Sequence, residues 1–348
     1  MRPPAFPLLL LLLLLAACAP TPRPSPLFFY LRTGASLSLV LQQDPLSSAP
    51  LDTIPLPTPA GCSFWALTPA PAGPRATIEW QCAYGPAVQV VHTDTGQVDF
   101  LLADPTVDNR LLAWSPDGKI AYLKAGTLSS PQVLRVEVAS RQATPLPLSP
   151  NTYNLTVSPD GRTILYALTA GIGQGSELWS ADAAGAGMHR LLADAGNILG
   201  LMRYSPDGQK IAYIRLPDNQ SSFPAGELWL ADPDGKHARR VASADAGHGL
   251  PPVWSPDGTE IAFAGRDRPD DPASVNLSVY RLSTSHLLPS PFPPLPASLP
   301  PAWSPDGARL YFTRLSDGKM ELWFYEIPGG KTEKLLDDAC CGGWIVGR

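Results

Sequence analysis

Trp114-Ser115-Pro116-Asp117-Gly118 is one of five copies of a single phrase, a large apolar residue followed by Ser-Pro-Asp-Gly. The others run from Val157 to Gly161, Tyr204 to Gly208, Trp254 to Gly258 and Trp303 to Gly307, with lead residues 43, 47, 50 and 49 positions apart. A turn phrase at such a period marks one supersecondary unit copied in tandem. In each copy an apolar strand runs into the phrase. Proline presets φ for a turn, aspartate bonds the backbone just ahead, and glycine accepts positive φ. A second strand follows, read as Ile120-Ala-Tyr122, Ile164-Leu-Tyr166, Ile211-Ala-Tyr213, Ile261-Ala-Phe263 and Leu310-Tyr-Phe312. A third reads Glu177-Leu-Trp179, Glu227-Leu-Trp229 or Glu321-Leu-Trp323, and a short fourth Arg190-Leu-Leu192, Arg240-Val241 or Lys334-Leu-Leu336. Helical periodicity is confined to the N-terminus. One such sheet cannot bury both faces alone, so copies must stack side by side. The expected fold is all-β: four-stranded antiparallel blades closed into a β-propeller.

These five phrases, with the Ile-Ala-Tyr/Phe and Glu-Leu-Trp strands, resemble the TolB-type family of WD-like propeller repeats over roughly residues 60–340. The resemblance implies a propeller, commonly of six blades, whose inter-blade connectors line the mouth of a central channel, and an envelope protein as partner. The residues themselves give seven. Trp65 to Pro69 and Ile78-Glu-Trp80 read as a degenerate copy with lead Trp65 and a turn enlarged over Pro69 to Pro74. Gly342-Gly-Trp344-Ile-Val346 reads as a lead strand whose three companions stand at the other end of the chain, in Leu27 to Arg32, Leu37 to Leu41 and Asp52 to Leu56. The C-terminal strand is therefore expected to complete the N-terminal blade, which removes open edges. The expectation is seven blades, with six as the alternative.

Met1-Arg2 precedes the eight leucines Leu8 to Leu15 and then Ala16-Ala17-Cys18. This apolar core is too short to span a bilayer and has the length of a secretory signal. Leu15-Ala-Ala-Cys18 resembles the bacterial lipobox, which implies cleavage before Cys18, acylation of that residue, and anchoring of an extracytoplasmic protein to a membrane of the cell envelope. The expected organisation is a signal peptide over 1–17, a lipidated Cys18 with a proline-rich tether over 18–26, and a propeller domain over 27–348. Position 19 is Ala rather than Asp, so a common inner-membrane retention signal is absent.

The net charge of −5 becomes about −6 on loss of Arg2, which argues against a nucleic-acid partner. The loop Pro289 to Pro301 reads as a stiff blade connector or a docking strip. An even number of cysteines after Cys18 suggests two disulfides among Cys62, Cys82, Cys340 and Cys341. Cys62–Cys82 with a vicinal Cys340–Cys341 is one pairing. Cys62–Cys341 competes, because each stands three residues before its lead Trp.

No Gly-x-Ser-x-Gly elbow occurs, and none of His92, His189, His237, His248 and His286 has metal-ligand spacing with another. No metal or cofactor is expected, and the repeated turn aspartates are explained by turn chemistry. Asp245 and His248 lie in a connector, and with Asp108 they are the visible candidates for an acid–base set. Arg32, Lys124, Arg215, Arg266 and Arg314 close the second strands and would form a basic ring on one face. Alternatively, Glu227 and Glu321, opposite Arg215 and Arg314, absorb those charges in cross-strand ion pairs. The reading that results is a lipid-anchored, monomeric propeller that binds or scaffolds an envelope protein, a binding module rather than an enzyme. The alternatives are a glycan or anion sensor, or a glycan-active enzyme using the channel mouth.

Overall fold

A computed structural model describes residues 26–345 apart from 35, 48, 103–107, 128–129, 170, 172, 220–224, 246–249, 269, 272–273, 289–298 and 328. Cys18, His248 and most of the loop from Pro289 lie outside the described residues. The described residues form 28 strands, all of whose pairings are antiparallel, in five sheets of four strands and one of eight. The eight-stranded sheet is two four-stranded units joined through one pair, Ala244↔Gly265. Counted in chain order, units 2 to 7 begin with the first strands Cys62–Pro69, Asn109–Trp114, Thr152–Val157, Asn197–Tyr204, Val253–Trp254 and Ala302–Trp303. Unit 1 takes its first strand, Ala339–Ile345, from the C-terminal end and its other three, Leu27–Thr33, Leu37–Gln42 and Asp52–Pro55, from the N-terminal end. Register pairs from Leu27↔Ile345 to Arg32↔Ala339 join the two ends.

Burial follows from this stacking. Each hydrophobic cluster spans one pair of neighbouring units. Leu165, Leu178 and Tyr213 pack between units 4 and 5, and Ile214, Trp254 and Phe263 between units 5 and 6. Phe28, Tyr30, Tyr311 and Phe324 pack units 7 and 1 together and close the circle. The first strands of units 1 and 2, 3 and 4, 4 and 5, 6 and 7, and 7 and 1 lie against one another, so the first strands form the inner wall.

The turn phrase builds the same network five times. In unit 5 the Ser205 hydroxyl donates to Asp207 Oδ1 at 2.5 Å and accepts from Lys210 N at 2.9 Å, while Asp207 Oδ1 accepts from Gln209 N at 3.0 Å. The serine hydroxyl holds each of Asp117, Asp160, Asp207, Asp257 and Asp306 below the usual carboxylate pKa. Each turn also packs on the one before it. A Cβ on Gly208 would stand 3.4 Å from Pro159 Cδ, and one on Gly258 would stand 3.5 Å from Pro206 Cδ.

That packing exposes a sixth copy. A Cβ on Gly118 would meet Ala72 O and Ala70 Cβ, so Ala70-Pro71-Ala72-Gly73 occupies the place of Ser-Pro-Asp-Gly in unit 2. Ala70 N bonds Arg75 O, as Ser115 N bonds Ile120 O, and Gly73 has φ +81°. The turn is of ordinary length, and the lead position is Pro69. Trp65 is instead the residue skipped in a bulge between Phe64↔Trp80 and Ala66↔Glu79, and is 60% exposed. The expectation of an enlarged turn led by Trp65 is corrected accordingly. The double substitution Ala70→Ser, Ala72→Asp should restore two hydrogen bonds and stabilise the ring by about 1 kcal/mol. Urea unfolding checks this, and a lowered midpoint would contradict the equivalence.

Unit 3 carries a second irregularity. One residue fewer separates Gly118 from Ile120-Ala-Tyr122 than separates Gly208 from Ile211-Ala-Tyr213. Ala121, not Ile120, therefore pairs with the lead Trp114, whereas Ile211 pairs with Tyr204. A one-residue slip turns side chains over. Tyr122 accordingly packs toward unit 4 and donates to Ala183 O at 3.1 Å, while Tyr213 packs back against unit 4 from unit 5.

Candidate functional site

The expected basic ring is dispersed, by the slip in unit 3 and by a longer second strand before Arg266 in unit 6. Lys124, Arg215, Arg266 and Arg314 stand nine, ten, eleven and ten residues past their turn serines. Side chains alternate along a strand, so these four do not share a face. Their partners are local. Arg215 Nε bonds Asp194 Oδ2 at 2.7 Å, and Arg215 Nη1 stands 3.5 Å from Glu227 Oε2. Arg314 pairs in register with Glu321 but lies over the Trp323 ring at 5.6 Å. Arg32 is exposed, and its guanidinium donates to Tyr30 Oη at 3.1 Å.

The glutamates of the Glu-Leu-Trp strands have a repeated structural task. Glu177, Glu227 and Glu321 each accept from the indole two residues on, at 2.9, 3.0 and 2.9 Å. Each also meets a fourth-strand cation: Arg190 and Arg240 at 2.7 Å, and Lys334 at 3.3 Å. The clasp ties third strand to fourth, which accounts for the recurrence of Glu-x-Trp.

Of the three acid–base candidates, His248 lies outside the described residues, and Asp108 and Asp245 do not come together. Asp245 ends the fourth strand of unit 5 and is ion-paired with Arg266, which ends the second strand of unit 6; their side chains are 0% and 1% exposed. Both were expected at a ligand site, but burial commits them to each other. Asp108 precedes the first strand of unit 3, with Oδ1 packed over Gly85 where a Cβ would lie, and unit 4 separates it from Asp245. Among the described residues no group of three or more His, Cys, Asp or Glu is placed to hold a metal ion.

Of the cysteines, Cys62 and Cys82 form a disulfide, facing each other in register. Cys340 and Cys341 are free thiols, which corrects the vicinal pairing. Cys340 is wholly buried between units 1 and 2, and Cys341 sits in a bulge at φ +61° with its N–H on Thr313 Oγ1 at 3.0 Å. Burial, reinforced by Cys340, holds the Cys341 thiol well above its ordinary pKa, so it is not a reactive thiolate. The Cys62–Cys341 alternative falls with the re-read lead. Cys62 stands seven residues before Pro69, whereas Cys341 stands three before Trp344.

The inner wall carries groups that the sequence reading passed over. Side chains reach across from a neighbouring unit to bond backbone N–H groups at the first-strand bulges: Asn154 Oδ1 takes Met202 N at 3.1 Å, and Glu79 Oε2 takes Leu111 N at 3.2 Å. Burial raises the Glu79 pKa to about 7, against the lowering effects of Leu111 N and Arg110. A carboxyl whose pKa is raised on folding supports the fold fully below its unfolded value, near 4.5, and loses that support as pH climbs through 7. Glu79→Gln should therefore remove a pH-dependent loss of roughly 2–3 kcal/mol between pH 5 and 8. Parallel urea curves for the two proteins at both pH values would contradict the assignment. Arg203, in the first strand of unit 5, is partly buried and donates from Nη1 to Met202 O at 2.7 Å.

No protein-family model and no curated protein matches this sequence. Solved structures do resemble its fold. TolB from Acinetobacter baumannii aligns over 92% of this chain and 82% of its own at 16% identity, with a TM-score of 0.53. An oligogalacturonate lyase from Vibrio parahaemolyticus aligns over 90% and 85% at 12% identity, with a TM-score of 0.58. A puromycin-hydrolysing peptidase from Mycobacterium tuberculosis aligns over 91% of this chain but only 54% of its own, at 12% identity and a TM-score of 0.62. The chain thus has a β-propeller fold of the kind found in TolB, and proteins with different activities share it.

Proposed function

We propose that this β-propeller of TolB-like fold is a lipid-anchored, extracytoplasmic binding module for a protein of the cell envelope, built as a seven-bladed monomeric ring. The carrying observation is a closed ring in which Asp245 and Arg266 are buried against each other, alongside a TolB likeness over nearly the whole chain. A signal peptide over 1–17, a lipidated Cys18 and a tether over 18–26 would hold the domain 27–348 off the membrane, where loop-rich faces meet a partner. The fold shared with an oligogalacturonate lyase gives a second reading, recognition of an acidic glycan, which the cationic inner wall favours.

Two measurements test the first reading. Labelling with a palmitate analogue should mark the wild type and not Cys18→Ser. Crosslinking in intact envelopes, followed by mass spectrometry, should recover one stoichiometric envelope protein. An unlabelled wild type would remove the anchor, and a chain that crosslinks to nothing would remove the partner.

A further inference from the structure

We propose that the inner wall of the ring binds an oxyanion, the carboxylate or phosphate group of a small acidic ligand, on the guanidinium of Arg203. The first strands of the seven units carry two charged residues, Arg110 and Arg203, and no Asp, Glu, Lys or His. Glu79 reaches this wall beside Arg110 and offsets it in part, whereas Arg203 has no such acid beside it among the described residues, and a confined cationic group concentrates anions. A third cation docks on the same wall. Lys124 Nζ donates to the carbonyl of Thr152, the first residue of the unit 4 strand, at 2.8 Å.

Arg203 is the exception among its equivalents. The residue just before the lead position is Thr68, Ala113, Thr156, Val253, Ala302 and Gly343 in the other units. None is longer than valine, so Arg203 is the one long cationic side chain at this position. The bulge between Gly200 and Arg203, with Leu201 at φ +55°, re-aims this part of the strand. Trp254 Nε1 holds the Arg203 carbonyl at 3.2 Å, which fixes the backbone from unit 6.

The guanidinium itself is poorly compensated. Its Nη1 donates to Met202 O, and no carboxylate lies within ion-pair distance among the described residues. Burial lowers its pKa to about 10 with no opposing charge among the causes. Taking a cation out of water without a counter-ion is strongly unfavourable, whereas a two-oxygen anion fits the guanidinium fork. The arrangement is that of a site waiting for a charge that no described residue supplies.

The test is independent of the protein-partner reading, since it needs no partner. The detergent-solubilised full chain is titrated calorimetrically, and its thermal unfolding followed, with inorganic phosphate and separately with galacturonate. At least one anion should bind and raise the midpoint by several degrees at millimolar concentration, and the effect should shrink with added salt. Arg203→Met should abolish the shift while its own unliganded midpoint stays equal or rises. Arg203→Lys keeps the charge and loses the fork, and should weaken binding tenfold or more. Arg32→Gln, an exposed change elsewhere, should bind as the wild type does. Binding of galacturonate alone would identify a sugar acid, and of phosphate alone a phosphoryl group. The proposal is overturned if neither anion binds the wild type, or if Arg203→Met or Arg203→Lys binds with unchanged affinity.

Discussion

Deleting Ala339–Ile345 is expected to unfold the whole ring and not merely to fray one end. That strand pairs with Leu27–Thr33 and buries Ala339, Cys340 and Ile345. Trp344 stands edge-on to Phe28 at 5.4 Å and to Tyr311 at 6.3 Å, so one side chain joins the second strands of units 1 and 7. Complete burial of a large apolar side chain contributes about 1.5–3 kcal/mol, and the strand has several such contacts besides its backbone pairing. A loss of roughly 5 kcal/mol or more is comparable to the ~5–15 kcal/mol that holds a typical domain together. The deletion should abolish a cooperative thermal transition and open units 1 and 7 to protease. A truncated chain that melts where the intact one does would refute the closure described here.

The second large effect concerns Asp245 and Arg266. Neither side chain has meaningful access to water, and both sit where units 5 and 6 are joined by Ala244↔Gly265. Asp245→Ala leaves a guanidinium sealed with less counter-charge, and breaking a buried pair in this way costs about 3–5 kcal/mol. Removing both charges with Asp245→Leu, Arg266→Met should cost much less, because the desolvation of two ions is no longer required. Denaturant midpoints of the two variants settle the matter. A single variant as stable as the wild type would mean that water reaches the pair.

The fold was legible because five turns repeat their chemistry without change. The sixth, Ala70-Pro71-Ala72-Gly73, was missed because its two hydrogen-bonding side chains are absent. Proline and a positive-φ glycine suffice for the backbone path, and neither is distinctive in a chain with 41 prolines and 29 glycines. Trp65 has the size of a lead residue, and bulges leave no mark in hydrophobic patterning. The basic ring failed for a related reason. Closing a second strand is not one fixed position: Lys124 stands nine and Arg266 eleven residues past the turn serine, against ten for Arg215 and Arg314, and each odd step inverts the face. Cys62–Cys82 was readable as an antiparallel pair. The isolation of Arg203 was not, because a lack of nearby acid is a property of three dimensions.

The shared sheet of the chain's two ends also dictates an order of events. Leu27 leaves the ribosome long before Ile345, its partner, has been made. Until then unit 1 has three strands and a bare backbone edge, and such long-range pairing is slow to form. Folding therefore has a vulnerable interval set by translation time. A chaperone that caps an exposed strand would be needed most by the part of the protein that arrives first.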